Sequence, residues 1–340
     1  MPKNGGEKAY GVVWPALNTV EIEEFDMPVP KEGEMLLETE VTLISPGTER
    51  HWLIGRNDLT RMGRFGGYPF RPGYSFSGYV KELGPGVTGF KVGEKVICAA
   101  RHASHVVVPA VRVTKMPQEI DLEEAVFHSL GTVAIQALRR AFVEVGESVA
   151  VFGLGPIGLL TLQIARLCGA MPVIGVDLID SRLKRGLNYG ADIVFNAKDE
   201  EKMKKYLASL KNGGPAVVVE LTAAQQPLET CLEVVQRLGR VIMTSSMEGA
   251  MTINLHSYVH EKGVYLIGAQ TGARAPGGCS RPGIWSMMED MDVWVQLLQY
   301  HRLEAKSLVT HNFAAKDAPK AYELIKVHDP DLIGALLHWK

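Results

Sequence analysis

Cysteine is scarce: Cys98, Cys168, Cys231 and Cys279 are the only four in 340 residues, far apart and without a CxxC pair. That excludes a disulfide framework and a four-thiolate zinc site. An excess of one charge is missing too. With 36 Lys+Arg against 38 Asp+Glu the formal net charge is −2, which is not the footprint of a nucleic-acid binder. The opening stretch, Met1 to Pro15, carries charges and glycines but no apolar run of signal-peptide length, so no export signal is read and a cytoplasmic protein is expected. Long hydrophobic runs are nearly absent. Ser148 to Ala165 is uncharged over 18 positions, formally the length of a membrane span. Three glycines and Pro156 interrupt it near its start, and a buried strand, turn and helix explain the same apolarity, so no membrane partner is expected. Internal repeats and low-complexity segments are absent as well. The length itself predicts two domains.

From Ala9 to about Pro109 the chain reads as short alternating runs divided by Gly and Pro clusters, among them Met35 to Ile44, Phe76 to Leu83 and Glu94 to Ala99. This is the pattern of a compact, irregular β domain. Asp121 followed by Glu124 resembles a capping arrangement, so a helix is predicted there, and a second through Thr132 to Phe142. After Gly146 the texture changes. Val149 to Phe152, Val173 to Val176, Ile193 to Phe195, Val217 to Leu221, Val241 to Thr244 and Tyr265 to Ala269 are predicted strands, with amphipathic segments such as Ser181 to Tyr189 and Leu228 to Leu238 between them. Alternation of strand and helix argues for a parallel sheet covered on both faces. Past Gly272 a Gly/Pro-rich loop runs to Gly283, then helices over Trp285 to Tyr300 and Asp317 to Val327, and a closing strand at Ile333 to Leu337.

The strongest motif is Gly153-Leu154-Gly155-Pro156-Ile157-Gly158, which follows an apolar strand, opens an uncharged helix and is followed 19 residues after Gly158 by Asp177 at the end of the next strand. Glycine-rich turns are common, and a turn without a ligand is the bland reading; the full context points to a dinucleotide site. Gly153 allows a tight turn, Gly155 lets backbone approach a pyrophosphate, and Gly158 lets helix and strand pack closely, with the helix N-terminus offering N–H groups to the anion. Asp177 is expected to accept hydrogen bonds from both adenosine-ribose hydroxyls and to repel a phosphate on that ribose, which favours NAD over NADP. Arg182, in the following helix, offers positive charge that works against this preference.

At this point the chain resembles the medium-chain dehydrogenase/reductase superfamily over almost its whole length. Pro72-Gly73-Tyr74-Ser75-Phe76-Ser77-Gly78 through Gly84, then Gly89-Phe90-Lys91-Val92-Gly93-Glu94-Lys95-Val96, look like that family's glycine-marked core of the first domain. The resemblance implies an α/β protein with a GroES-like β-rich catalytic domain, residues 1–127 completed by 275–340, and a Rossmann doubly wound parallel sheet, residues 128–274. It places the active site in a cleft between them. It also implies a zinc site whose ligands are largely replaced here: Ser45 or Pro46 stands for the family's Cys, Tyr74 and Ser75 for its His-Glu, and only His128 remains, four residues before Thr132. One imidazole cannot hold a catalytic zinc, which needs three protein ligands. The four-Cys lobe is missing too, since about nine residues separate Val96 from Val106. Ile44-Ser45-Pro46-Gly47-Thr48-Glu49-Arg50 with Ser280-Arg281-Pro282-Gly283-Ile284-Trp285 looks like a narrower zinc-free branch, similar to bacteriochlorophyllide dehydrogenases and to sugar or cyclitol dehydrogenases.

Without a metal, alkoxide stabilisation and proton transfer fall to side chains. Glu49, His51, Tyr74 and His128 are the acid/base candidates, with Arg50, Ser280 and Arg281 as donors to a substrate. Each has a plainer reading as a packed, paired or surface residue; His102, His105 and His311 read as structural or exposed. Thr132 is expected at the cofactor from its place in the family. Thr244, Ser245, Gly268, Ala269 and Gln270 are expected there because they follow the carboxyl ends of late strands. Gly263 to Ala269 resembles the strand that pairs across the family's dimer, implying a homodimer or homotetramer. The leading expectation is hydride transfer between NAD and a secondary alcohol or ketone on a polyol, cyclitol or sugar-like small molecule. Reduction of a quinone or enone, and redox-neutral epimerisation with retained NAD, are the alternatives.

Overall fold

The computed structural model describes residues 6–55, 67–246, 250–277, 279–281 and 284–340. The motif residues Pro282 and Gly283 lie outside the described residues. The chain divides into two compact units, Met1–Ser129 with Met291–Lys340, and Leu130–Asp290. Residues 275–290, expected with the first domain, cluster with the second unit.

In the first unit β1 (Lys8–Val13) and β2 (Glu21–Asp26) form an antiparallel hairpin. The long β3 (Glu34–Ile44) follows, and then a helix that the sequence did not suggest, α1 (Pro46–Leu53). Pro-Gly-Thr reads as a loop. Yet Pro46 stands at the first helical turn, where its missing N–H is no loss, and the Glu49 carboxylate reaches back to the Ser45 N–H at 2.9 Å. β4 (Phe76–Leu83), β5 (Lys95–Cys98), β6 (His105–Pro109) and β7 (Val113–Lys115) complete this stretch, β4 and β6 both pairing with β3. Asp121 caps α2 (Leu122–Ala125) by accepting the Glu123 N–H at 2.9 Å. Glu124 does not close a capping box; its carboxylate accepts the Ala305 N–H, also at 2.9 Å.

Helix α3 (His128–Ala141) begins four residues before the predicted Thr132. The second unit then runs β8 (Val149–Phe152), α4 (Pro156–Leu167), β9 (Val173–Asp177), α5 (Asp180–Asn188), β10 (Ile193–Asn196), α6 (Glu200–Ala208), β11 (Val217–Glu220), α7 (Gln225–Val234), β12 (Arg240–Met243), a π-helical segment His256–Glu261 and β13 (Tyr265–Gly268). The six strands form one parallel sheet in the order β10-β9-β8-β11-β12-β13. The chain leaves at β10 and returns beside β8 as β11, so the switch point lies between β8 and β11. β8 and β11 are buried at every residue, as strands covered on both faces must be.

Helix α8 (Met287–Gln299) leads to β14 (Val309–Ala314), α9 (Ala318–Lys326) and β15 (Gly334–His338). β15 adds antiparallel to β3, Ala335 opposite Ile44, and so returns the C-terminal segment to the first unit. Trp14, Ile44, Leu53, Tyr322 and Trp339 share one core there, and Met35, Phe76, Val96 and Val106 another. No described helix is long and apolar enough to cross a membrane.

Candidate functional site

β8 ends at Phe152 and α4 starts at Pro156, so the chain must turn within Gly153-Leu154-Gly155. Gly153 takes φ +96°, which side chains resist. A Cβ on Gly158 would lie 2.0 Å from the Gly153 carbonyl oxygen, so the close approach of helix and turn exists only without one. Gly155 is different. Its φ of −68° suits any residue, and nothing lies within 4 Å of where its Cβ would stand. The glycine keeps space clear in front of the α4 N-terminus, where no side chain caps the first N–H groups. Pro156 and Ile157 are half-buried beside that opening.

Asp177, at the end of β9, accepts the Leu154 N–H through Oδ2 at 2.7 Å and the Ile179 N–H through Oδ1 at 2.9 Å. A carboxylate offers about four acceptor positions. Two therefore remain, on a side chain still 8% exposed, which is what a pair of ribose hydroxyls requires. Arg182 lies half-buried in the first turn of α5.

At the ends of the later strands Gly268 again has nothing within 4 Å of a Cβ position, and Gln270 beside it is exposed. Ala269 is fully buried and its N–H is bonded to the Met243 carbonyl at 2.8 Å. The Thr244 hydroxyl is buried and lacks a partner among the described residues. Ser245 is held by Glu220, a residue the sequence reading passed over, whose buried carboxylate also accepts the N–H groups of Thr222 at 2.6 Å and Ala223 at 3.1 Å. Thr132 does not face open space: it is fully buried, and its carbonyl is taken by Arg274 at 2.7 Å.

In the first unit a polar corner forms where β3 passes into α1. Glu49 is fully buried; besides the Ser45 N–H, it is met by His102 Nε2 at 3.2 Å and by the Tyr322 hydroxyl. His102, read from sequence as structural or exposed, is thus the buried partner of a candidate acid. Tyr74 joins the same corner through the Ser45 and Thr48 hydroxyls, and burial together with the Glu49 charge pushes its phenol well above the usual tyrosine range. His128 sits apart, its Nε2 3.2 Å from the Phe76 carbonyl; burial lowers it to about 4, so it is neutral at pH 7. His51 is half-buried on α1. Arg50 donates Nε to the Lys326 carbonyl at 3.2 Å, which fastens α1 to α9. In the second unit Ser280 is exposed and hydrogen-bonded to Glu289, while Arg281 is exposed and bridges to Ile284 through its backbone.

Two family models match the chain: an alcohol dehydrogenase GroES-like domain over residues 33–118 and a zinc-binding dehydrogenase over residues 156–280. The chain belongs to the zinc-type alcohol dehydrogenase superfamily. It is an oxidoreductase of that group, built from a GroES-like domain and a Rossmann-like parallel sheet. Similar proteins include L-threonine 3-dehydrogenase of Pyrococcus horikoshii, 27% identical over 341 residues and covering 90% of this chain and 92% of that one. Sorbitol dehydrogenase of Gallus gallus is 26% identical over 346 residues, covering 90% of each. In fold, a short chain alcohol dehydrogenase from Escherichia coli CFT073 complexed with cofactor NADH matches with a TM-score of 0.83 at 19% identity, over 98% of this chain and 100% of that one.

The donor set does not fit the zinc that the superfamily description implies. Ser45 and Tyr74 are hydroxyls tied to one another, Ser75 is bonded to Ser129, and the His128 nitrogen faces a carbonyl. Among the described residues no group of three or more His, Cys, Asp and Glu side chains could hold a metal ion. The dinucleotide groove, by contrast, fits: an open glycine, an uncapped helix end and an acid with acceptor capacity left over.

Proposed function

We infer that this oxidoreductase transfers hydride between NAD and a secondary alcohol or ketone of the polyol, cyclitol or sugar-like class, without zinc. The observation that carries the reading is the pairing of Gly155 with Asp177. The first leaves room for a pyrophosphate and the second keeps two acceptor positions at the end of the next strand. The Asp177 charge opposes a ribose phosphate, which selects NAD over NADP. When bound, NAD supplies the hydride acceptor; the chain must supply everything else.

Proton handling then rests on the corner around α1. Glu49 has both oxygens occupied inside the core, and His128 is neutral with its Nε2 spent on a carbonyl, so each acts by holding its neighbours. Tyr74, held protonated by burial, is the candidate donor to a substrate oxygen in ketone reduction, and His51, half-buried on α1, is a second candidate for proton exchange. A homodimer or homotetramer formed through β13, an edge strand on which Tyr265 is 60% exposed, completes the reading. The test is NADH formation from a panel of polyols and cyclitols, with and without a strong chelator, beside elemental analysis of the purified protein. Turnover that survives chelation at negligible zinc content is the expected result. Near-stoichiometric zinc, with activity lost to the chelator and regained on zinc addition, would refute the metal-free assignment.

A further inference from the structure

Asp177 ends β9 on one side of the β8 turn, and β11, β12 and β13 lie on the other. A dinucleotide with its ribose at Asp177 and its pyrophosphate at Gly155 therefore lays its nicotinamide half over the ends of those later strands. The segment Gly268–Gln270 borders that half, with the open Cβ side of Gly268 and the exposed Gln270. What fixes this segment is a net anchored on α3. Gln136, 4% exposed, donates Nε2 to the carbonyls of Gln270 at 3.1 Å and Ala273 at 3.0 Å. Arg274 donates Nε to Gln136 Oε1 at 3.1 Å, Nη2 to the Thr132 carbonyl at 2.7 Å and Nη1 to Asp290 Oδ2 at 2.6 Å. Asp290 also has Arg139 Nε 2.9 Å from its other oxygen, and the Arg139 guanidinium covers the Trp285 ring at 3.8 Å. The Arg274 and Asp290 side chains are only 5% and 1% exposed.

Burying an ion pair is a poor way to gain stability alone, because desolvation cancels most of the attraction and apolar residues of similar volume would serve as well. The planar guanidinium does something apolar packing cannot: it addresses three partners in fixed directions. We propose that Arg274 is a positioning residue that anchors the Gly268–Gln270 segment on helix α3 and so sets the nicotinamide end of the groove without touching the cofactor. This rests on the dinucleotide reading above. The test is to titrate the wild-type protein, Arg274→Gln and Gln136→Leu with ADP-ribose, which ends before the nicotinamide, and with NADH. Both variants are expected to hold ADP-ribose within about two-fold of wild type while NADH affinity falls about ten-fold, the scale of one well-made hydrogen bond. Gln136→Leu cuts the ties to Gln270 and Ala273 without stranding a charge, and it decides the matter if Arg274→Gln does not fold. Equal weakening of both ligands would show that the net only stabilises the unit, and unchanged NADH binding would show that it does not reach the groove; either overturns the proposal. A wild-type protein that binds neither ligand would overturn the dinucleotide reading itself.

Discussion

Gly155 and Gly158 are two glycines of the same motif with opposite structural demands, and an alanine at each separates ligand space from packing. At Gly155 the backbone already has dihedrals open to alanine, and the new methyl would meet nothing within 4 Å. Alanine restricts the unfolded chain, which stabilises by about 0.4–1 kcal/mol. It is also a poorer residue than glycine at a helix N-cap, which costs roughly 0.5–1 kcal/mol. The two effects oppose, so the folding stability of Gly155→Ala stays within about 0.5 kcal/mol of wild type. At Gly158 the methyl would stand 2.0 Å from the Gly153 carbonyl oxygen, a backbone atom that moves only if the turn deforms. Overpacking of that kind costs about 1–3 kcal/mol or more.

Binding runs the other way at Gly155. The methyl fills the space in front of the α4 N-terminus and displaces the pyrophosphate from its N–H donors. Losing one such charge-assisted hydrogen bond costs about 1.5–3 kcal/mol, or roughly ten- to a hundred-fold in Kd. Urea denaturation followed by tryptophan fluorescence, beside titration with NADH, reads both quantities on the same preparations. Native-like NADH affinity in a folded Gly155→Ala would mean that the open space is not where the cofactor lies. A Gly155→Ala as unstable as Gly158→Ala would mean that the assignment of space to ligand rather than protein is wrong.

Asp177→Ser is expected to weaken NADH by about 1–3 kcal/mol and NADPH by less, since loosening of Leu154 and Ile179 harms both but relief of repulsion helps only the phosphate; equal losses would assign Asp177 to the fold alone. Tyr74→Phe should lower turnover about 10²- to 10⁴-fold with NADH affinity nearly unchanged, and native turnover would move proton handling to His51 or elsewhere. His128 titrates near 6.5 when unfolded but near 4 in the folded chain, so unfolding takes up a proton between those values, and its contribution is to lower stability as pH falls from about 6.5 to about 4 and to leave it unchanged above. Denaturant midpoints of wild type and His128→Gln, compared across that window, should therefore show a steeper acid loss in the wild type; parallel curves would show that the imidazole is not held neutral.

The parallel sheet was legible because its strands are short apolar runs with turn residues between them, and fully buried strands such as Val217–Glu220 leave little else for such runs to be. The glycine turn and the acid that ends the next strand were legible because both lie within one strand-turn-helix-strand unit. Helix α6 escaped notice since Glu200–Ala208 buries only Met203 and Leu207, too sparse a stripe for periodicity to register. Helix α1 was hidden by Pro46 and Gly47, which mark turns more often than helix starts. The Glu49 knot could not have been read at all. His102 and Tyr322 stand 53 and 273 positions away from it, and Arg274 is 142 positions from Thr132, distances at which a lone sequence carries no pairing signal.

Four buried carboxylates differ in how much acceptor capacity their neighbours leave them. Glu220 accepts from Thr222 twice and from Ala223 on Oε1 and from Ser245 on Oε2; one position on Oε2 is left, but the residue is fully buried and offers none to a ligand. Glu49 accepts from Ser45, His102 and Tyr322 and is fully buried, so its one remaining lone pair faces protein. Asp290 lies between two arginines at 1% exposure. Each fastens a loop or helix start, and each would be expensive to leave unpaired. Asp177 alone combines half its acceptor capacity with residual exposure; Glu220 ends the strand on the other side of β8, equally near the Gly155 turn, but is fully buried. Residue type did not separate these four, since Glu49 and Asp177 were both candidates by sequence. Counting donors against lone pairs does, and it turns Glu49 from a proton carrier into the clasp that holds Ser45 in place while the hydroxyls of Ser45 and Thr48 hold Tyr74.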